Sequence, residues 1–169
     1  MAIGPAGSIY QKEAGFNKDL KIDIDPLKTK FIRELSFRDF HNNGDPGYAS
    51  DGVRDLNRSR CEIRAYCNLE RFRICDSGYV PKFYRFILSL NSISFAPYLD
   101  AFQRDDSLSS AILIEYLPSP LMMNCITYSK ERMNKAVIGI QQIHSALIEH
   151  NDSYPKNILI IPGDLERVV

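Results

Sequence analysis

The stretch HNDSYPKN gathers His150, Asp152, Lys156 and Asn157, side chains of the types that do chemistry, within eight residues. A carboxylate such as Asp152 can orient a hydroxyl and take its proton, and an amide oxygen five residues later, at Asn157, can hold a hard cation. Asp, Ser, Pro and Asn are also ordinary turn formers, so residue types and spacing alone leave a plain connector equally open. The stretch lies between a helical run, IHSALIE, and an apolar run, ILII.

The bulk of the chain limits what that stretch can serve. At 169 residues it is long enough for one ordinary domain with a core, or for part of a larger one. Hydrophobic residues at 44% and charged residues at 25% fit a globular chain. Lys plus Arg equals Asp plus Glu, 21 each, so the charge balance favours neither nucleic acid nor an anionic membrane as a partner. Cys61, Cys67, Cys75 and Cys125 show no C-x-x-C spacing, and no histidine flanks them in a zinc-ligand pattern. Free thiols in a reducing compartment are expected. The N-terminal MAIGPAGSIYQKEAGF lacks the order of a signal peptide, and no apolar run approaches the ~18 residues of a membrane span, so a cytoplasmic or nuclear location is expected.

Several elements must position the loop. Residues 1–27 read as a lead-in with scattered glycines and prolines, and KTKFIRELSF (Lys28 to Phe37) as a strand or a short helix. HNNGDPGYASDG (His41 to Gly52) is the densest cluster of chain breakers and predicts a long loop or insertion. Arg58 to Phe72 repeats Ile63, Tyr66 and Cys67 at helical spacing, which predicts an amphipathic helix. KFYRFILSL predicts a strand, and AILIEYLPSP (Ala111 to Pro120) a buried strand stopped by prolines and leading into a connector. From Ser129, a plausible N-cap, SKERMNKAVIGIQQIHSALIEH carries Met133, Ala136, Ile140, Ile143 and Leu147 on one helical stripe. NILII and RVV on either side of PGDLE predict a hairpin.

The order and the loop together resemble the protein kinase-like superfamily of protein kinases, aminoglycoside phosphotransferases and choline kinases. Its catalytic loop reads H-R-D-L-K-P-E-N or H-G-D-x-x-P-x-N, which His150, Asp152, Pro155 and Asn157 match in register. The preceding IHSALIEH resembles the LHSxGIVH that closes the helix before that loop. The resemblance implies an α+β fold. An N-terminal lobe of antiparallel sheet plus one helix would cover 28–118, and the first part of a helical C-terminal lobe, truncated, would cover 119–169.

It also implies an ATP-dependent phosphotransferase using Mg, with a nucleotide and a protein or small-molecule hydroxyl acceptor as partners. Asp152 would be the base or acceptor-orienting residue, Asn157 the Mg ligand and His150 a structural residue of the loop. Glu62 resembles the helix glutamate that pairs with the nucleotide-contacting lysine. Arg33 stands where that lysine is expected, with Lys28 or Lys30 as equivalents in a shifted register. Ile114 would be the gatekeeper, and Glu115, Tyr116 and Leu117 the hinge that offers backbone hydrogen bonds to adenine. No glycine-rich loop is recognisable, and the D-F-G-like aspartate would fall beyond Val169. Weak or absent catalysis is therefore expected of this chain as it stands, and an inactive, kinase-derived interaction fragment is the alternative.

Overall fold

The computed structural model describes residues 45–105, 108–150 and 152–169, and of Leu165 and Glu166 only the backbone. The lead-in 1–27, Lys28 to Phe37 and with it Arg33, and the first part of the His41 to Gly52 loop lie outside the described residues. Within them the protein is α+β, with two helices and two small antiparallel sheets.

Helix α1 (Arg58–Arg71) starts where the Asn57 side chain accepts a hydrogen bond from the Arg60 N–H, and Arg71 in its last turn complements the helix dipole. Its apolar stripe buries Ile63 and Leu69 and half-buries Tyr66 and Cys67, as the spacing predicts. Asp55, whose side chain has no exposed surface, anchors the start of the helix. It accepts from Arg60 Nε at 2.5 Å, Arg60 Nη2 at 2.7 Å and Arg64 Nη1 at 2.9 Å, and from the Asn57 N–H at 3.0 Å. Burial pushes the Asp55 carboxyl up, but the hydrogen bonds from Arg60 and Asn57 outweigh it and hold it below its ordinary value. Arg60 also reaches Asp45 at 2.7 Å, so the described part of the breaker-rich loop is tied to α1 by side chains.

After α1 the chain turns at Arg73, whose φ is 61°, and Ile74 and Cys75 re-enter the core in a single 3₁₀ turn. Strand β1 (Phe83–Leu90) then pairs antiparallel with β2 (Ser109–Ile114). Phe83 and Phe86 are both buried although three residues apart, which strict strand alternation forbids. A register shift between Phe83 and Arg85 supplies the extra residue that returns both rings to one face.

Beyond the prolines, the short β3 (Leu121–Met122), which the sequence did not announce, joins a second sheet. Helix α2 (Lys130–Ser145) follows, capped by the Ser129 hydroxyl accepting from the Arg132 N–H at 3.2 Å. The predicted hairpin forms as β4 (Leu159–Ile161) and β5 (Asp164–Val168) around Gly163, whose φ of 84° suits glycine, and the sheet order is β3-β4-β5. Asp164 to Glu166 belong to the strand, so the turn is shorter than the PGDLE segment suggests.

Helix α2 ends at Ser145, short of His150. The Ala146 N–H closes the last turn on Gln142 and Ile143, and Leu147 takes a φ of 61°. Leu147, expected on the buried stripe, is half exposed, while Ala146 is fully buried. The core thus unites Ile63, Leu69, Val80, Phe83 and Phe86 with Ala146, backed by Ile143 and Ile148. The Tyr66 and Phe83 rings stack within it at 5.3 Å. Each such apolar side chain contributes about 1.5–3 kcal/mol on burial.

Candidate functional site

The loop that carries Asp152 and Asn157 joins α2 to β4, and its geometry follows from local chemistry. Pro155 opens a 3₁₀ turn over Pro155–Asn157, where its missing N–H costs nothing. The Asn157 N–H donates to the Tyr154 carbonyl at 2.8 Å and the Ile158 N–H to the Pro155 carbonyl at 3.1 Å. Asn157 Nδ2 donates to the Asp152 backbone carbonyl at 2.7 Å. That bond fixes the amide and leaves Oδ1, its oxygen, as the atom with acceptor capacity.

The Asp152 carboxylate is exposed, with Lys156 Nζ 3.8 Å from its Oδ2. Lys156 also lies over the Tyr154 ring, 5.5 Å from its centroid. An exposed carboxylate with one nearby ammonium can accept a proton from, or hydrogen-bond, a hydroxyl brought to the loop. Behind the loop lies an apolar cavity of about 430 Å³, bounded by Tyr79, Met133, Ile140, His150, Asn157 and Val168. His150 packs there, and its buried Nδ1 has no hydrogen-bond partner among the described residues.

Ile114, half exposed, ends β2 opposite Phe83, and Glu115, Tyr116 and Leu117 follow as irregular chain. Glu115 is held at both backbone and side chain. Its N–H donates to the Lys82 carbonyl at 2.7 Å, and its Oε2 accepts from the Lys82 N–H at 3.1 Å. Arg167 of β5 donates to both carboxylate oxygens at 2.7 Å, and its Nε donates to the Gly78 carbonyl at 3.2 Å. The Arg167 guanidinium, against a smaller opposing effect of burial, holds the Glu115 carboxyl at about 2.

Glu62 lies on the exposed side of α1, yet neighbouring atoms crowd its carboxyl enough for desolvation to raise its pKa. Among the described residues it has no basic partner. The structure therefore joins Asp152 to Asn157 on one loop and Glu115 to Arg167 across the two sheets. Glu62 is joined to neither, and Arg33 lies outside the described residues.

Sequence reasoning missed Arg167. Its one local signal is alternation in β5, where Val168 is buried and its neighbour must face the other way. No group of three or more His, Cys, Asp or Glu side chains able to hold a metal gathers among the described residues, and no helix there is long and apolar enough to cross a membrane. Comparison with family models, curated proteins and solved structures returned no match to this chain.

Proposed function

We propose that the chain is part of an ATP-dependent phosphotransferase of protein kinase-like type. The observation that carries this reading is the loop itself, with an exposed Asp152 carboxylate and an amide at Asn157 oriented by its bond to the Asp152 carbonyl. The order of elements supports it: helix α1, the β1–β2 pair, an irregular connector at 115–117, helix α2, the loop and the β4–β5 hairpin.

In this reading the nucleotide spans from the connector to the loop, and a protein or small-molecule hydroxyl meets Asp152. The acceptor oxygen forms a bond to the γ-phosphorus as the bond to the ADP oxygen breaks, and the hydroxyl proton passes to Asp152. Asn157 Oδ1 would hold Mg, which neutralises phosphate charge when bound. One protein oxygen suits that ion, because Mg keeps water and takes phosphate oxygens as its other ligands. Neither nucleic acid nor membrane is among the proposed partners, and the setting is cytoplasmic or nuclear.

A second reading, an inactive kinase-derived interaction fragment, is favoured by one contact. The Lys156 ammonium already occupies the neighbourhood of the Asp152 carboxylate.

The deciding measurement is thermal unfolding with and without Mg-ATP. At ligand about 100-fold above Kd the phosphotransferase reading expects a rise in Tm of about 5 °C. Asn157→Ala is expected to shrink that rise while leaving any rise with metal-free ATP in place. No response of the wild-type chain to Mg-ATP would leave the interaction fragment standing and sink the first reading.

A further inference from the structure

We propose that Arg167 is a positioning residue that sets the span between the connector at 115–117 and the loop carrying Asp152 and Asn157. The inference rests on the phosphotransferase reading, because the span matters only if one ligand bridges both ends.

The geometry is a chain of fixed groups. Val169 N–H donates to the Leu159 carbonyl at 2.8 Å and Leu159 N–H to the Val169 carbonyl at 2.6 Å, so the end of β5 is held against the residues that follow the loop. Arg167 sits two residues from that pairing. Its guanidinium forks onto both oxygens of Glu115, a planar two-bond match that fixes orientation as well as distance. Glu115 in turn is held to Lys82 through its N–H and its carboxylate, at the entry to β1. The third donor, Arg167 Nε, ties Gly78 into the same network.

Both side chains of the pair are about one-quarter exposed, at 22% and 26%. They are shielded enough to hold one geometry and open enough to need no large desolvation. The Leu117 N–H has no partner among the described residues, so the network that pins Glu115 leaves the next part of the connector with a donor to offer. Across 52 residues of sequence, this pair links the β1–β2 sheet to the β3–β4–β5 sheet through side chains.

A structural role and a positioning role make different demands on a ligand that touches one end and a ligand that touches both. The probes are Mg-tripolyphosphate, which meets the loop alone, and Mg-ATP, which meets the loop and the connector, titrated calorimetrically against the full chain. For Arg167→Gln, Kd for Mg-ATP is expected to rise about tenfold while Kd for Mg-tripolyphosphate stays within about twofold. Arg167→Lys, which keeps charge without the fork, is expected to recover only part of the Mg-ATP affinity.

An equal loss for both probes, or no loss for either, overturns the positioning role. In both cases the wild-type binding leaves the phosphotransferase reading intact. A wild-type chain that binds neither probe overturns both. Should Arg167→Gln fail to fold, Arg167→Lys decides alone, with Mg-ATP affinity unchanged from wild type, or an equal loss for both probes, counting against the proposal.

Discussion

Asp55 and Asp152 show how one residue type takes opposite roles through its surroundings. Asp55 has no exposed side-chain surface and three charged donors from two arginines, so it holds the entry of α1 in place. Asp152 is exposed, with one ammonium 3.8 Å away, and is available to a ligand. Removing Asp55 takes a buried carboxylate from both guanidinium groups, although Arg60 keeps its pair with Asp45. Because Arg60 and Arg64 keep about one-fifth of their surface in water, Asp55→Ala is expected to cost about 2–3 kcal/mol, less than a fully buried pair. Urea unfolding measures this, and a cost below about 1 kcal/mol would show that the cluster contributes no more than a surface pair.

At the scale of the element, α2 faces Tyr79 at Gly139. A methyl group there would lie 3.3 Å from Tyr79 Cβ and 3.3 Å from Tyr79 Cδ1. Alanine would improve helix propensity by about 1 kcal/mol, but Cβ is fixed to its backbone and cannot rotate away. The backbone around Tyr79 must shift, so Gly139→Ala is expected to lower stability by about 1 kcal/mol net, read from the same denaturant midpoint. Elements whose causes are local were legible in the sequence: the Ser129 cap, the α1 stripe of Ile63, Tyr66 and Cys67, and the glycine turn at Gly163. Elements whose causes are distant were not. Strand β3 has two residues and forms only because β4 offers it an edge. Helix α2 stops early without a glycine, through a left-handed Leu147 that delivers Ala146 to the core. The Asp152 to Asn157 loop could be read from its own residues, whereas Arg167 meets Glu115 through a fold that neither stretch encodes alone.

Over the whole molecule, the carboxyls set the response to acid. Asp45, Asp51, Asp55 and Glu115 all have folded pKa values below their ordinary ones. Each binds a proton less readily when folded than when unfolded, so protons drive unfolding. Their stabilisation is fully present above the ordinary values of 3.8 and 4.5 and is lost as pH falls through the folded ones. Glu115's share is lost between 4.5 and about 2. Glu115→Gln is therefore expected to flatten the fall of unfolding free energy across that window while losing stability near neutrality, as followed by circular dichroism at fixed urea. A wild-type slope retained in the variant would assign the acid response elsewhere. The shared core has a different consequence. Ala146, Ile143 and Ile148 close over Ile63, Val80 and Phe86, while the exposed Pro118 and Ser119 lie between the two contributors. A cut there leaves two pieces with matching apolar faces, so the molecule has the makings of a split protein whose halves reassemble by completing each other's interior.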